Sequence, residues 1–304
     1  MMSTAIEQST AATDVRTRST ILQDYMILTK PSITRMCLIM TAGGMWLAPR
    51  SIDPLSAACV MLGTAIAVGA ANALNMWWER ESDAKMKRTR NRPLPAGRLG
   101  ERQVLVFGLV LGILGCGILA AGTNLLTAAL GLFAILSYVL VYTPLKSRTA
   151  WSVFVGAIPG AMPPLMGWTA ATGRLDAPGL VLFTILLVWQ VPHFLAISIF
   201  RQSEYDEAGI KIVPTEWGMR LTRIHIVLWS VILVPVGMLL THIDVTGTFY
   251  AAAALVTGLV FLGFAVAGIW TKDLKRWSQS VFFASLGYLP LITIALVIDK
   301  TLWF

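Results

Sequence analysis

Nine apolar runs divide the 304-residue chain, at about 33–49, 55–79, 102–121, 124–142, 151–171, 178–200, 222–241, 248–270 and 279–298, and polar stretches between them hold most of the charge. A helix crossing a bilayer needs about 20 apolar residues. Lipid offers no partner to an unpaired backbone group, so a spanning segment must satisfy its own hydrogen bonds. Continuous runs do this as helices, whereas barrel strands would alternate apolar and polar positions. The pattern predicts an all-α integral membrane protein, a bundle of about nine transmembrane helices. The first run is the shortest, and the fifth contains Pro159, Pro163 and Pro164, so both are expected to bend or to borrow partners from neighbours. Residues 1–30 read as a mobile leader reaching a short interfacial helix, and 31–304 as one transmembrane domain.

Composition agrees with lipid as the solvent. The chain is 56% hydrophobic and 13% charged, with a mean hydropathy of +0.70, where soluble domains carry about 25% charged residues. Threading the runs through a bilayer puts 21 of the 24 lysines and arginines on one side. By the positive-inside rule that side is the cytoplasm, with the amino terminus inside and the carboxyl terminus outside a cell's inner membrane. The net charge of +8 is then mainly a topology signal and calls for no nucleic-acid partner. Cys37, Cys59 and Cys116 are isolated, without metal or redox spacing, and read as small packing residues.

Two of the loops on the basic side, 79–102 and 201–223, mix acids with bases, which suggests a shared site over a central cavity. In the first, Asn72, Asn75, Glu79 and Asp83 fall within an arc of about 80° on one helical face that begins inside the second run. Amides and carboxylates at that depth are costly unless they pair or coordinate something. Hard oxygen donors of this kind suit Mg²⁺ shared with a phosphorylated substrate. Lys85, Lys87, Arg88 and Arg92 follow and suit the phosphate itself. The competing reading is a solvated loop whose acids merely pair with its bases, but such a loop has no use for Asn72 or Asn75.

The spacing Asn75–Glu79–Asp83, followed by Met86-Lys87-Arg88-Thr89 and Arg92-Pro93-Leu94-Pro95-Ala96-Gly97, resembles the first signature of the intramembrane UbiA-type prenyltransferase superfamily. Within it the chain most resembles the protoheme IX farnesyltransferase (heme O synthase) family. Tyr142-Thr143-Pro144-Leu145-Lys146, the 156–168 segment with Pro159, Pro163 and Pro164, and Trp189-Gln190-Val191-Pro192-His193-Phe194 extend the resemblance from about Lys30 to about residue 290. It implies farnesyl diphosphate and heme b as substrates, Mg²⁺ as cofactor, and a heme A synthase as a partner. Asn75, Glu79 and Asp83 would hold metal, with Arg88 and Arg92 completing the catalytic set.

A second acidic motif is expected in the loop Arg201–Pro214. There the resemblance makes Glu204 the preferred metal ligand, with Asp206 and Glu207 as alternatives. Glu204 stands where an aspartate is usual, and Lys211 where many relatives have proline. The plainer reading of Glu207 and Lys211 is an i,i+4 ion pair. Lys146, Arg148, Tyr205 and Lys211 join Asn72 and Lys85 as substrate-binding candidates. His193 lies about 12 Å of helix below Arg201 and is a candidate for facing the porphyrin, as axial ligand or beside the vinyl group; a structural histidine is the alternative. His225 and His242 read as structural or surface residues. Rival functions are prenylation of a quinone or chlorophyll precursor, which shares the clamp, and transport of an anionic metabolite.

Overall fold

The computed structural model describes residues 20–49 and 51–303; of the leader expected over residues 1–30, residues 1–19 lie outside them. Among the described residues all regular structure is helical. In chain order the helices are α1 (Ile21–Leu28), α2 (Pro31–Leu47), α3 (Pro54–Trp78), α4 (Arg80–Lys85), α5 (Glu101–Gly122) and α6 (Leu125–Leu136). A π-helical segment (Ser137–Tyr142) continues into α7 (Thr143–Leu145), followed by α8 (Ser152–Gly160), α9 (Met162–Thr172), α10 (Ala177–Phe200), α11 (Gln202–Glu207) and α12 (Val213–Glu216). The last three are α13 (Gly218–His242), α14 (Thr248–Val266), which ends in a 3₁₀ turn, and α15 (Leu274–Trp303).

Among the described residues seven rods are long and apolar enough to cross a membrane: α3, α5, the stretch Leu125–Leu145, α10, α13, α14 with its 3₁₀ turn, and α15. The other two of the nine predicted runs do not form such rods. The first gives α2, of 17 residues. The fifth divides at Ala161 into α8 and α9. The division has a local cause: Pro163 and Pro164 have no N–H to return to the carbonyls of Pro159 and Gly160.

Burial separates inner from outer helices. Half of the apolar window of α3 and 61% of that of α10 are buried, against 39% or less in the other spanning rods. The outer helices expose large apolar side chains such as Ile113 and Leu125, which in lipid carries no hydrophobic penalty. Gly108, Gly115 and Gly122, at seven-residue spacing on α5, meet Leu74, Ala67 and Cys59 of α3 so closely that a Cβ would collide. Gly44 and Gly167 let α2 and α9 cross backbone to backbone, against the carbonyls of Pro164 and Thr41. Small residues in membrane helices permit this approach.

The short α1 is fastened to the bundle. Thr20 and Gln23 form a capping box at its start, and Leu28 is buried with Ala73, Met76 and Val104. Asp24 accepts a hydrogen bond from Arg98 at 2.9 Å, and Tyr25 packs edge-on against Phe107. At the opposite end of the bundle, Lys300 donates to the carbonyls of Trp46 and Ala48 at the end of α2. The Asp299 carboxylate accepts the backbone N–H groups of Gly247 and Tyr250 at the start of α14.

Candidate active site

Helix α3 rises from the apolar interior with Asn72 and Asn75 buried on it. It stops at Trp78, and Glu79 is its cap; α4 follows at once, with the Asp83 N–H still donating to the Glu79 carbonyl. The acidic face therefore continues through the break. Asn75 is locked from both ends of its amide: Nδ2 donates to Thr143 Oγ1 at 3.1 Å, and Oδ1 accepts from Lys30 Nζ at 3.1 Å. Because lysine can only donate, the oxygen must face it. The Thr143 hydroxyl in turn donates to the carbonyl of Tyr138 at 2.8 Å. The Thr143 backbone N–H donates to the same carbonyl, the five-residue bond of the π-helical turn.

The two acidic–basic loops touch. Met86 is buried with Ala208, Ile210 and Ile212, and Arg88 Nε lies 3.8 Å from Glu204 Oε2. Thr89 donates to the Asp83 carbonyl and holds the turn beyond α4. Beneath the loops lies a cavity of about 530 Å³. One wall carries Lys30, Asn75, Glu79, Asp83, Arg92 and Lys146; the facing wall is apolar, with Phe194 and Phe200 from α10 and Phe282 and Phe283 from α15. Arg88, Arg201 and Tyr205 line the rim. A smaller apolar chamber of about 100 Å³ shares Ile33 and Tyr138 with it and descends along α3 past Asn72 to Thr64 and Met166.

Of the site residues expected from sequence, Asn75, Glu79, Asp83, Arg88, Arg92, Lys146 and Tyr205 thus meet around one cavity. Others stand apart. Asn72 lines the lower chamber instead. Lys85 and Arg148 are exposed and line neither space. Lys211 borders an adjoining pocket with Lys146, whose carbonyl accepts its backbone N–H at 2.7 Å. Glu204 does not line the cavity; it sits beside the rim, with one oxygen on Arg201 and the other turned to Arg88. Asp206 accepts from Thr215, and Glu207 is exposed. The pairing of Glu207 with Lys211 does not form. Gly209, at φ 72°, turns the chain out of α11, and Lys211 lies 3.6 Å from Glu216. His193 is buried behind the cavity wall, stacked on Trp189 and 5.0 Å from the Phe282 ring. Its Nδ1 is 2.7 Å from Ser285 Oγ, which itself donates to the Phe282 carbonyl.

Strong pairs fix the charges. Arg92 Nη1 reaches Asp83 Oδ2, and Lys146 Nζ reaches Glu79 Oε1, each at 2.6 Å. Burial pulls the Glu79 carboxyl upward, but Lys146, Lys30 and Arg92 more than offset this and leave it below the usual carboxylate range. Burial pulls Lys146 downward, and Glu79 reverses that, holding the ammonium well above its ordinary value. Lys30 has no carboxylate at bonding distance. Burial first, then Arg92, bring its pKa down to about 7.

The sequence profile of the UbiA prenyltransferase family matches residues 37–287, most of the chain. The chain belongs to the UbiA prenyltransferase family. It is 48% identical over 281 residues to the protoheme IX farnesyltransferase of Myxococcus xanthus, covering 92% of this chain and 96% of that one. It is 46% identical over 289 residues to the enzyme of the same name from Anaeromyxobacter, covering 94% and 97%. Among solved structures, a digeranylgeranylglyceryl phosphate synthase superposes with a TM-score of 0.78 at 17% identity, covering 91% of this chain and 98% of that one. A UbiA homologue from Archaeoglobus fulgidus, bound to DMAPP and Mg²⁺, superposes with a TM-score of 0.70 at 14% identity, covering 90% and 99%.

The oxygen donors of this UbiA-family cavity fit a hard cation. Asp83 is fully buried, and its Oδ1 has no partner. Asn75 and Glu79 line the same wall. Among the described residues no three acidic, histidine or cysteine side chains converge on one point, so a cation here would draw part of its coordination from substrate oxygens, as Mg²⁺ commonly does. Sequence reasoning missed Lys30 and Arg201, counted only as topology charges, and the aromatic wall of α15. The sequence shows only that Lys30 precedes Pro31, which restricts its backbone; its left-handed conformation at φ 46°, a strained state that clusters at functional sites, is visible only in the structure.

Proposed function

We propose that this chain transfers the farnesyl group of farnesyl diphosphate to a vinyl group of heme b, with addition of water, giving heme O and diphosphate. The observation that carries the reading is the cavity that brings acidic and basic side chains together with aromatic ones, beside an apolar chamber that shares Ile33 and Tyr138 with it. The likeness to protoheme IX farnesyltransferases over nearly the whole chain supports the choice of substrates. The farnesyl tail occupies the lower chamber, below the diphosphate. Asn75, Glu79 and Asp83 would hold Mg²⁺, with Glu204 beside the rim as a further oxygen donor. When bound, that ion neutralises charge on the leaving diphosphate. Arg88, Arg92, Lys30 and Lys146 supply fixed donors to the same oxygens. Tyr138 and Tyr205 present ring edges and faces to the space where the allylic carbon loses its C1–O bond.

The chemistry closes without a covalent enzyme intermediate. The C1–O bond breaks and its electrons leave with diphosphate. The vinyl π electrons form the new C–C bond to C1. Water captures the cation left beside the ring and gives up a proton, leaving a hydroxyethylfarnesyl group. That product is what a heme A synthase would consume. The loop face is cytoplasmic in this reading, with the carboxyl terminus outside the inner membrane.

Asp83→Asn and Glu79→Gln should each abolish heme O formation by purified protein, read by mass spectrometry of extracted heme, while leaving the protein folded and membrane-inserted. Normal turnover by both variants would overturn the metal-clamp assignment. A prenyl acceptor that is an aromatic acid rather than heme b, found with labelled farnesyl diphosphate, would redirect the substrate.

A further inference from the structure

Helix α15 carries charge that neither the clamp nor the fold uses. Lys275 and Arg276 are exposed, and no ion pair engages either among the described residues. Both lie just ahead of Gln279, Phe282 and Phe283, which line the main cavity opposite the acidic wall. At about 100° per residue, Lys275, Arg276, Gln279, Phe282 and Phe283 fall within an arc of about 120° on α15. One face of this helix thus passes from two bases, through an amide, to two aromatic rings. Phe283 is 67% exposed. Phe282 is held from behind by His193 and edge-on by Phe200.

We propose that this face is the seat of the porphyrin acceptor, with Lys275 and Arg276 meeting its two propionates and Phe282 and Phe283 packing on the macrocycle. The proposal rests on the heme-prenylating function given above. A flat, apolar dianion needs an aromatic surface with cations at one edge. In heme b the propionates lie on the edge opposite the vinyl-bearing pyrroles. The rise from Arg276 to Phe283 is about 10 Å, comparable with the macrocycle from one edge to the other. Propionates at the basic end therefore put the vinyl edge deep in the cavity, toward Tyr138 and Asn75, where the allylic carbon is delivered. His193 acts as a positioning residue in this arrangement. It orients Phe282 through the ring contact and through Ser285, and it does not ligate iron.

The test uses the full chain in lipid nanodiscs, titrated with ferric protoporphyrin IX and with its dimethyl ester, followed by absorbance. Charge reversal at both bases (K275E with R276E) should weaken binding of the free acid by roughly tenfold or more. It should leave the ester, which has no carboxylates, almost unaffected. Phe283→Ala should weaken both ligands. Binding of a farnesyl thiodiphosphate should be unchanged in the charge-reversal variant, whose two positions do not line the cavity, which also shows that it has folded. Equal loss of acid and ester on charge reversal, or no loss of either, overturns the propionate assignment; the latter leaves the bases to anionic lipid headgroups. A His193→Ala protein whose bound-heme spectrum has lost an axial ligand would overturn the positioning role. Failure of the wild-type chain to bind or farnesylate heme would sink the underlying function instead, whereas wild-type turnover with indifferent variants sinks only the site.

Discussion

Lys30 donates to Asn75 Oδ1 from a left-handed backbone, half-buried near Arg92, with its pKa brought down to about 7. A diphosphate arriving in this cavity favours the charged ammonium and raises that pKa. Binding therefore takes up a proton at any pH between the free and bound values. Affinity is fully present below pH 7, where Lys30 is charged in both states, and falls as pH rises above it. For a farnesyl thiodiphosphate, Kd should weaken by up to about tenfold per pH unit above 7 in the wild type, relative to a Lys30→Met variant measured in the same buffers. Parallel pH profiles for the two proteins would remove Lys30 from the diphosphate site. The contrast between Lys30 and Asp83 marks what sequence can carry at this scale. Asn75, Glu79 and Asp83 follow each other at helical spacing, so their common face is visible along one segment. Lys30 meets Asn75 across 45 residues, and His193 meets Ser285 across 92. No periodicity encodes such meetings; they exist only once the helices have packed.

At the scale of helices, hydrophobic runs foretold the rods because lipid forces each span to close its own hydrogen bonds. The prolines of the fifth run were expected to bend it or to leave carbonyls for neighbours to satisfy; the run instead divides into two helices at Ala161. The π-helical turn at Ser137–Tyr142 was hidden, since its five-residue backbone bonds leave the apolar run unbroken and carry no signature in the hydrophobic pattern. The aromatic wall of α15 was hidden for a different reason: in an apolar run, Phe282 and Phe283 look like any lipid-facing side chains. Glycines were legible as a class, but not which ones matter. A Cβ at Gly167 would strike the Thr41 carbonyl, a backbone atom that cannot step aside, whereas one at Gly117 meets nothing within 4 Å. Gly167→Ala should therefore cost about 1–3 kcal/mol through overpacking, seen as a lower melting temperature of the detergent-solubilised protein. Gly117→Ala should be neutral or slightly stabilising, because alanine is the better helix former. Equal melting points for the two variants would mean that α2 and α9 do not cross so closely.

Over the whole molecule, charge divides into two populations. One is drawn into the cavity: Lys30, Arg88, Arg92, Lys146 and Arg201 gather around it from four separate stretches of chain. The other stays on exposed loops, as Arg90 and Arg148 do, and would serve to orient the bundle by the positive-inside rule. In the predicted threading 21 of the 24 bases, from both populations, belong to the same end, so the face that would fix topology is also the face that would receive the diphosphate. Farnesyl chains and hemes partition into lipid, while diphosphate is soluble and must leave into water. A cavity at the membrane boundary, charged above and apolar below, serves both demands at once. The orientation can be measured directly. Cys37, Cys59 and Cys116 are free and half-buried, so they are first replaced to give a silent background. A cysteine at Arg90, in the loop after α4, and one at Arg174, in the turn between α9 and α10, are both exposed positions on opposite faces of the predicted threading. In intact cells a membrane-impermeant maleimide should label Arg174→Cys and spare Arg90→Cys until the membrane is opened. The reverse pattern would turn the molecule over and put the diphosphate cavity outside, away from any cytoplasmic pool of farnesyl diphosphate.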